Sequence, residues 1–592
     1  MRWAIWRSEF EKMLDRRLTY FSELERFIRE WDEVCQAVVF QAAPDLENEK
    51  SFDLAIPCFQ WSKVKKLPPA KISEALAAAL ELAKDHLGLD AVESLNAYVN
   101  IRFRSDILQR ELAAREDDPL RASREALAGE RIAIDFSSPN IAKPFGFGHL
   151  RSTNIGAAIC RIYQSLGAEV VRINHLGDWG TQFGKLITAY KHFGNADFVK
   201  GDPINNLYAL YVKFHEEEQK DPALMDEARE WFVKLEQGNE EARELWTWFR
   251  DVSFHEFKKI YDRLGVSFDY VTGESFYNEL MEASVSLIES KSLLKESEGA
   301  QVVDLESYGM PPCLIRKADG STLYATRDIA TAEYRMKTFE PTKLVYVVGS
   351  EQKLHFRQVF KVLELMGYPW GERWVHVDFG LIKSDQGKMS TRKGNIILLE
   401  DVLNQAEERA LQIIEEKELT KPEERRLTPA EKKEVAKLVG LGAVIFFDLK
   451  AKRTKDIIFS WEDILNFEGD TGPYLQYSYV RLGSLLERAK AESIKWSKAD
   501  WPLLAVEEER DLVRHILNFP AAVEAAAKEF EPSVISHELL ELAGSFNRFY
   551  MKVPILKGES DQVAGRMHLI EMTRKLLRQG LELFGIQCPD RM

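Results

Sequence analysis

The sequence predicts an α/β core of Rossmann type, a parallel sheet with a helical insertion, set between an N-terminal α+β domain and a C-terminal α-helical bundle. Three observations carry that expectation. Arg131–Phe136 and Glu169–Asn174 read as short apolar strands around a helical stretch, so strand, helix and strand fall within ~40 residues, the size of a βαβ unit. Strand-like segments return at Leu344–Val348 and Trp374–Phe379, after a long helical stretch over about 203–264. From about Ala430 onward the pattern is helical.

Taken in order, residues 1 to about 50 are rich in Glu, Arg and aromatics and read as helix. Ala75–Leu87 is expected to be helical and Ala97–Phe103 to alternate as a strand. Asp117, Asp118 and Pro119 mark a break, with a charged helix expected from there to Gly129. The strand Arg131–Phe136 leads into a Pro/Gly-rich turn, and a helix is expected from about His149 to Leu166. Near the other end, Ile535, Leu539, Leu542, Phe546 and Phe549 recur at helical spacing and form one apolar face, while Pro520 and Pro532 punctuate the bundle. The expected domains are 1–125, 126–430 with an insertion at about 190–265, and 431–592, joined through residues 400–430.

Composition limits the function. The 592 residues include 80 Lys+Arg and 95 Asp+Glu, a net charge of −15, and 45% are hydrophobic, so the chain is globular and not coated in nucleic acid. A local basic face remains compatible with that balance, because phosphate contacts act at short range under screening. No apolar run approaches the ~18–20 residues of a membrane span, and the N-terminus lacks an apolar leader. A cytoplasmic protein with no membrane partner is expected. Cys35, Cys58, Cys160, Cys313 and Cys588 are scattered singly, which speaks against a zinc ribbon or a disulfide framework.

Two segments carry chemistry. Between the first core strand and its helix lies Ser137-Ser-Pro-Asn-Ile-Ala-Lys-Pro-Phe-Gly-Phe-Gly-His-Leu-Arg-Ser-Thr153. Gly146 and Gly148 let backbone approach a ligand, the helix start offers N–H groups to a phosphate, and Lys143, His149 and Arg151 add donors. Arg151 stands where a dinucleotide fingerprint requires its third glycine, so a NAD-dependent dehydrogenase is the weaker reading. The second segment, Lys388-Met-Ser-Thr-Arg-Lys-Gly-Asn395, is a polar cationic loop after the Trp374–Phe379 strand. Either segment alone fits a solvated loop; together they are far more specific.

These two segments resemble the H-x-G-H and K-M-S-K-S signatures of class I aminoacyl-tRNA synthetases, and more narrowly the chain resembles the arginyl-tRNA synthetases. Further segments of that resemblance, in the family's order, are 173–184, 323–335, 347–356, 469–481 and 546–550. It implies that ATP and L-arginine form arginyl-adenylate, and that tRNA(Arg) then takes the arginyl group. Neither step needs a protein nucleophile, so catalysis is positioning plus stabilisation of phosphate charge. A non-catalytic tRNA-binding relative is the alternative, and Gly146, in the place of the first signature His, is its support.

The resemblance also implies roles. Lys143, His149 and Lys388 would be catalytic, and Gly146, Gly148, His149, Lys388, Met389 and Ser390 would hold ATP. Thr391 replaces the second signature Lys, and the family often carries a compensating Lys where Lys143 stands. Arginine would meet Asp135, Asn140, Tyr324, Asp328 and Gln352, with Asp328 as the guanidinium partner; His175 lies in a family-like stretch with no contact assigned. Such a polar pocket discriminates strongly enough that no editing domain is required. Tyr474, Gln476, Tyr477 and Arg481 would face tRNA, beside a basic run of Lys450, Lys452, Arg453 and Lys455. The N-terminal domain would touch the tRNA elbow. Mg²⁺ would arrive with ATP and not in a protein site, and a monomer is expected.

Overall fold

In the computed structural model the described residues are Leu24, 26–29, 52–318, Gly320, 324–384, 387–388, 398–496 and 504–592. Most of the helix expected over residues 1–50 lies outside them; Leu24 and Ile28, which are helical, are fully buried.

The first unit is a three-stranded antiparallel sheet of β1 (Leu54–Pro57), β2 (Leu89–Leu95) and β3 (Tyr98–Phe103), with β3 in the middle. The expected strand is β3, but it begins one residue later. Asn96 and Ala97 both take positive φ, 50° and 66°, as a two-residue hairpin turn between Leu95 and Tyr98 requires. The helix expected at Ala75–Leu87 runs Pro69–Leu82, because Pro69 suits the first helical position. Its buried Ile72, Leu76 and Leu80 cover the sheet.

The charged helix expected up to Gly129 does not form. Only a short 3₁₀ turn, Arg121–Ser123, is present. Asp118 explains it: its carboxylate accepts from Leu120 N, from Arg124 and from Gln579 of the helix Ser560–Glu582. The segment is therefore tied to the bundle and runs as successive i→i+3 turns in place of an α-helix.

The core sheet starts with β4 (Arg131–Asp135), the helix His149–Ser165, β5 (Glu169–Leu176) and β6 (Tyr270–Gly273). Between β5 and β6 lie the helices Thr181–Phe193, Ala196–Gly201, Pro203–Glu217, Ala223–Glu236 and Glu240–Leu264, the expected insertion. After β6 come the helix Met281–Ser290 and a small antiparallel sheet that the sequence pattern did not announce: β7 (Leu294–Ser297), β8 (Ala300–Val303) and β9 (Cys313–Arg316). The helix Tyr324–Phe339, β10 (Lys343–Gly349), the helix Lys353–Leu365 and β11 (Trp374–Phe379) complete the core. Its order is β11-β10-β4-β5-β6, every pair parallel. Ile132, Ala133 and Ile134 of the central β4 are 0% exposed, as a strand covered on both faces must be.

A second unannounced sheet pairs β12 (Ile382–Ser384) antiparallel to β13 (Gly387–Lys388) and parallel to β14 (Ile457–Ile458). The segment 400–430, expected as a join, is mainly the helix Leu399–Leu419. It packs so closely on the helix Pro429–Lys450 that a Cβ on Gly440 would lie 2.7 Å from the Ala406 backbone. The bundle continues with Gly472–Ala491, Glu507–Glu529, Ser533–Lys552 and Ser560–Glu582. The face Ile535, Leu539, Leu542, Phe546 and Phe549 is 0% exposed throughout.

The N-terminal unit docks on this bundle through a buried ion pair. Arg510 Nε and Nη2 reach Asp53 at 2.8 and 2.5 Å, and Nη2 also donates to Phe103 O. Asp53→Ala leaves Arg510, 3% exposed, without its counter-charge. We expect a loss of about 3–5 kcal/mol at this contact, seen as a lower midpoint in chemical denaturation; an unmoved midpoint would show that water or another carboxylate replaces Asp53.

Candidate active site

The chain lays β4, β5 and β6 to one side, then returns to place β10 and β11 on the other side of β4. The order reverses between β4 and β10, and ligands of such sheets bind in the crevice outside the carboxyl ends at that reversal. Asp135 ends β4, and Gly273 and Gly349 end β6 and β10. The sequence-predicted Asn140, His149 and Gln352 all follow these carboxyl ends.

The turn after β4 is strained. Ser137, Ser138 and Ala142 take φ of 73°, 49° and 58°, a region costing side-chain-bearing residues about 1–3 kcal/mol each. Hydrogen bonds hold it there. Ser137 N donates to Ser152 Oγ, Ser137 Oγ bonds the Tyr261 hydroxyl, and Ala142 N donates to Ser253 Oγ, each at 2.9 Å. Tyr261 and Ser253 belong to Glu240–Leu264, so the helical insertion buttresses the turn.

His149 opens the following helix and is half-buried. Gly146 N donates to its Nδ1 at 3.1 Å, so the neutral ring carries its proton on Nε2. Burial first, and then the Lys143 charge, lower its pKa, which keeps the ring a neutral donor. Lys143 Nζ lies 5.5 Å from the Tyr211 ring centre. Gly148 is exposed with φ of −61°, and a Cβ there would meet no atom within 4 Å. Neither its backbone nor its packing asks for glycine; the open space suits a ligand lying against the backbone.

Lys388 lies in β13, paired with Lys383 of β12. Met389 and Ser390 lie outside the described residues. Past them, Leu398 forms an antiparallel bridge with Gly146, and Leu399 N donates to Phe145 O at 3.0 Å. The Gly-rich turn is thus joined, backbone to backbone, to the chain that follows the second segment.

On the other side of the crevice carboxylates gather. Asp328 Oδ2 bonds His355 Nε2 at 2.5 Å, and Arg327 Nη1 donates to Glu274 Oε2 at 3.3 Å. Burial pushes Glu274 up to about 7; Arg327 opposes the rise, while Asp328 and Asp178 add to it. Asp178, 1% exposed, is also raised by burial, although it accepts from Ser275 N and Oγ. Burial, more than its charged neighbours, inclines Glu274 to hold a proton near neutral pH. Sequence reasoning missed Glu274, Arg327 and His355; for Glu274 the available signal was an acid directly after the β6 glycine.

Asp135, expected at the arginine site, is already engaged within the protein. Its Oδ2 accepts from Arg335 at 2.6 Å and its Oδ1 from Ser138 Oγ at 2.9 Å, and it is 5% exposed. Arg335 also reaches His175 Nδ1 at 3.2 Å and lies between the Tyr277 and Tyr346 rings. Asn140, Tyr324 and Gln352 are exposed, with Asn140 bridging Gly177.

In the bundle, Tyr474, Tyr477 and Arg481 line a cavity of about 530 Å³ with Lys417, Phe467 and Asn547. Asn547 donates to the Tyr474 hydroxyl at 2.7 Å and accepts from Arg481 at 2.9 Å. Gln476, expected with them, is 0% exposed, and its Nε2 donates to Leu438 O and Gln587 O. Of the basic run, Arg453 is turned inward, bonding Phe530 O and Asp378, and Lys450 donates to Asp470 O.

Comparison with known proteins agrees with this geometry. The family model described as tRNA synthetases class I (R), catalytic domain, matches residues 118–461, and the DALR anticodon binding domain matches 475–592. The chain is 47% identical to "Arginine--tRNA ligase 2" of Bacillus anthracis over 567 residues, 95% of this chain and 97% of that protein. It is 45% identical to "Arginine--tRNA ligase" of Alkaliphilus metalliredigens (strain QYMF) over 546 residues, 92% and 94% of the two chains. The solved Thermus thermophilus arginyl-tRNA synthetase superposes with a TM-score of 0.80 at 26% identity, covering 96% of this chain and 99% of that one.

The half-buried His175 makes stability depend on pH. Burial, then Arg335, holds its folded pKa down to about 4 against 6.5 in the unfolded chain. Between those values the unfolded state binds the extra proton, so the contribution is complete above 6.5 and falls as pH drops toward 4. Urea midpoints from pH 7 to 4.5 should fall less steeply in His175→Gln than in the unaltered protein; equal slopes would assign the acid sensitivity elsewhere.

Proposed function

Because the chain belongs to the class I arginyl-tRNA synthetases, we propose a division of labour among its residues for an arginine–tRNA ligase. The protein uses ATP to activate L-arginine, giving arginyl-adenylate and pyrophosphate, and transfers the arginyl group to tRNA(Arg) with release of AMP. The observation that supports the residue assignment is the bridge between Gly146, in the turn at the reversal of the parallel sheet, and Leu398, which follows the second segment.

In this reading ATP, entering with Mg²⁺, lies over Gly146–His149. Gly148 leaves room, the helix N-terminus and His149 Nε2–H face phosphate oxygens, and Lys143 and Lys388 offset the charge that develops on the leaving pyrophosphate. Met389 and Ser390 place the second loop. Arginine enters the acidic side: Asp328 and Glu274 accept its guanidinium, whose planar fork suits paired carboxylates. Tyr324, Asn140 and Gln352 contact its remaining polar groups. Asp135 acts one step back, fixing Arg335. An unstacked tRNA base enters the cavity of Tyr474, Tyr477 and Arg481, with aromatic faces for stacking and a guanidinium for the base edge. Among the described residues no helix is long and apolar enough to cross a membrane. A cytoplasmic monomer, divided at residues 125 and 430, with the first domain on the tRNA elbow, completes the proposal.

ATP–pyrophosphate exchange tests the assignment. Exchange should require arginine and be supported by tRNA(Arg). Lys143→Ala should slow single-turnover adenylate formation by ~10²–10³, the loss typical of one transition-state donor, with arginine and tRNA affinities nearly unchanged. An unimpaired Lys143→Ala would make Lys143 a solvated turn residue.

Arginine affinity should depend on pH through Glu274. Below about 7 the free site holds a proton on Glu274 that the entering guanidinium must displace. Binding should therefore tighten as pH rises to about 7, by up to tenfold per unit, and level off above it. Calorimetry at pH 6.5 in two buffers should register proton release, and Glu274→Gln should abolish both the release and the slope. A variant that keeps them would place the titrating group elsewhere.

A further inference from the structure

We propose that Arg151 is a positioning residue that couples the tRNA-side bundle to the ATP site, with Asp448 as its anchor. Arg151 is 1% exposed and sits in the first turn of the signature helix, two residues after His149. Its Nε donates to Asp448 Oδ1 at 2.9 Å, and its Nη1 donates to Gly380 O at 2.9 Å and to Lys455 O at 2.8 Å. Asp448, 0% exposed, belongs to the bundle helix Pro429–Lys450 and also accepts from Asn154. Gly380 leads from β11 into β12, whose hairpin partner β13 contains Lys388. Lys455 leads into β14, the strand that leaves the bundle helix and pairs with β12.

One guanidinium therefore holds three backbones: the helix of the first signature, the root of the second-signature hairpin, and the segment descending from the bundle. The hairpin is fixed to that segment independently. Gly380 N donates to Arg453 O at 2.9 Å, and Leu381 N to Asp456 Oδ1 at 2.8 Å. A Cβ on Gly380 would lie 2.6 Å from the Lys455 carbonyl, so the two strands have no slack. A shift of the bundle thus carries the Lys388 hairpin with it, and Arg151 sets where that hairpin stops relative to His149. A fixed fork with several donors suits this task; a lysine would supply only a point charge.

The proposal rests on the reading of His149 and Lys388 as ATP-site residues. It is tested in the full-length chain with Arg151→Met/Asp448→Leu, which removes both buried charges and leaves neither unpaired. The KM for ATP in tRNA-dependent exchange should rise about tenfold and the stimulation by tRNA(Arg) should shrink, while the KM values for arginine and tRNA move less than twofold. Arg151→Lys should fall between this variant and the unaltered enzyme. A folded double variant with normal ATP KM and normal tRNA stimulation, or one with equal losses toward all three substrates, would reduce the pair to a structural contact. Should the double variant not fold, hydrogen exchange on the unaltered enzyme decides. Added tRNA(Arg) should slow exchange at Gly380–Ser384 and at the first turn after His149, and unchanged exchange in both would overturn the coupling. Lys388→Ala serves as the control: an unmoved ATP KM there would bring down the ATP-site reading itself, and not the coupling.

Discussion

Much of the crevice depends on the ion pair between Arg335 and Asp135. It joins the carboxyl end of the central strand to the helix that precedes β10, the two sides of the sheet's reversal. With Arg335 at 0% exposure, a lost partner would leave a buried cation, so the helix Tyr324–Phe339 is held in one place and its first turn, with Tyr324, Arg327 and Asp328, points to the crevice. The Tyr277 and Tyr346 rings, 5.9 and 5.5 Å away, give the guanidinium apolar walls with negative faces. The protein's own arginine thus fixes the frame of the crevice proposed to receive a substrate arginine.

Around that frame the site separates charge. On the side proposed for the nucleotide stand a neutral imidazole, the Lys143 cation and a helix start; on the side proposed for the amino acid stand Glu274, Asp328 and Asp178. The two lie along one sheet edge because successive βα turns deliver them there. Under the proposed assignment, the separation orients an anionic and a cationic substrate in the same crevice, which is most of what a reaction without a protein nucleophile requires. The strained turn at Ser137, Ser138 and Ala142 shows how firmly the nucleotide side is built: its backbone persists because two helices, one from the insertion, hold it by hydrogen bonds.

What the sequence made legible follows from periodicity. The β4–helix–β5 unit, β10, β11 and the apolar face from Ile535 to Phe549 all have strong repeating patterns, and all lie where the patterns put them. The small sheets β7–β9 and β12–β14 were missed because strands of two to four residues carry too little alternation to stand out. The helix expected up to Gly129 failed because Asp118 bonds a residue more than four hundred positions away. In the site, motif spacing located the Gly-rich turn and the cationic loop, but it was silent on commitments between side chains. Nothing in the string shows that Asp135 is engaged by Arg335, that Gln476 bonds two backbone carbonyls, or that Glu274 shares its surroundings with Asp178 and Asp328.

The contact between Asp53 and Arg510 spans 457 positions of sequence. A ribosome adding about 5–20 residues per second reaches Arg510 roughly 20–90 s after Asp53 has been made. Through that interval the first sheet has emerged with the carboxylate that Arg510 will cover, and the surface that will meet the bundle has nothing to meet. The catalytic sheet can close meanwhile, since its strands end at Phe379. Docking of the first unit therefore waits on the bundle, whereas closure of the catalytic sheet does not. Nascent chains stalled short of Arg510 expose that unfinished surface to the chaperones and proteases around the exit tunnel.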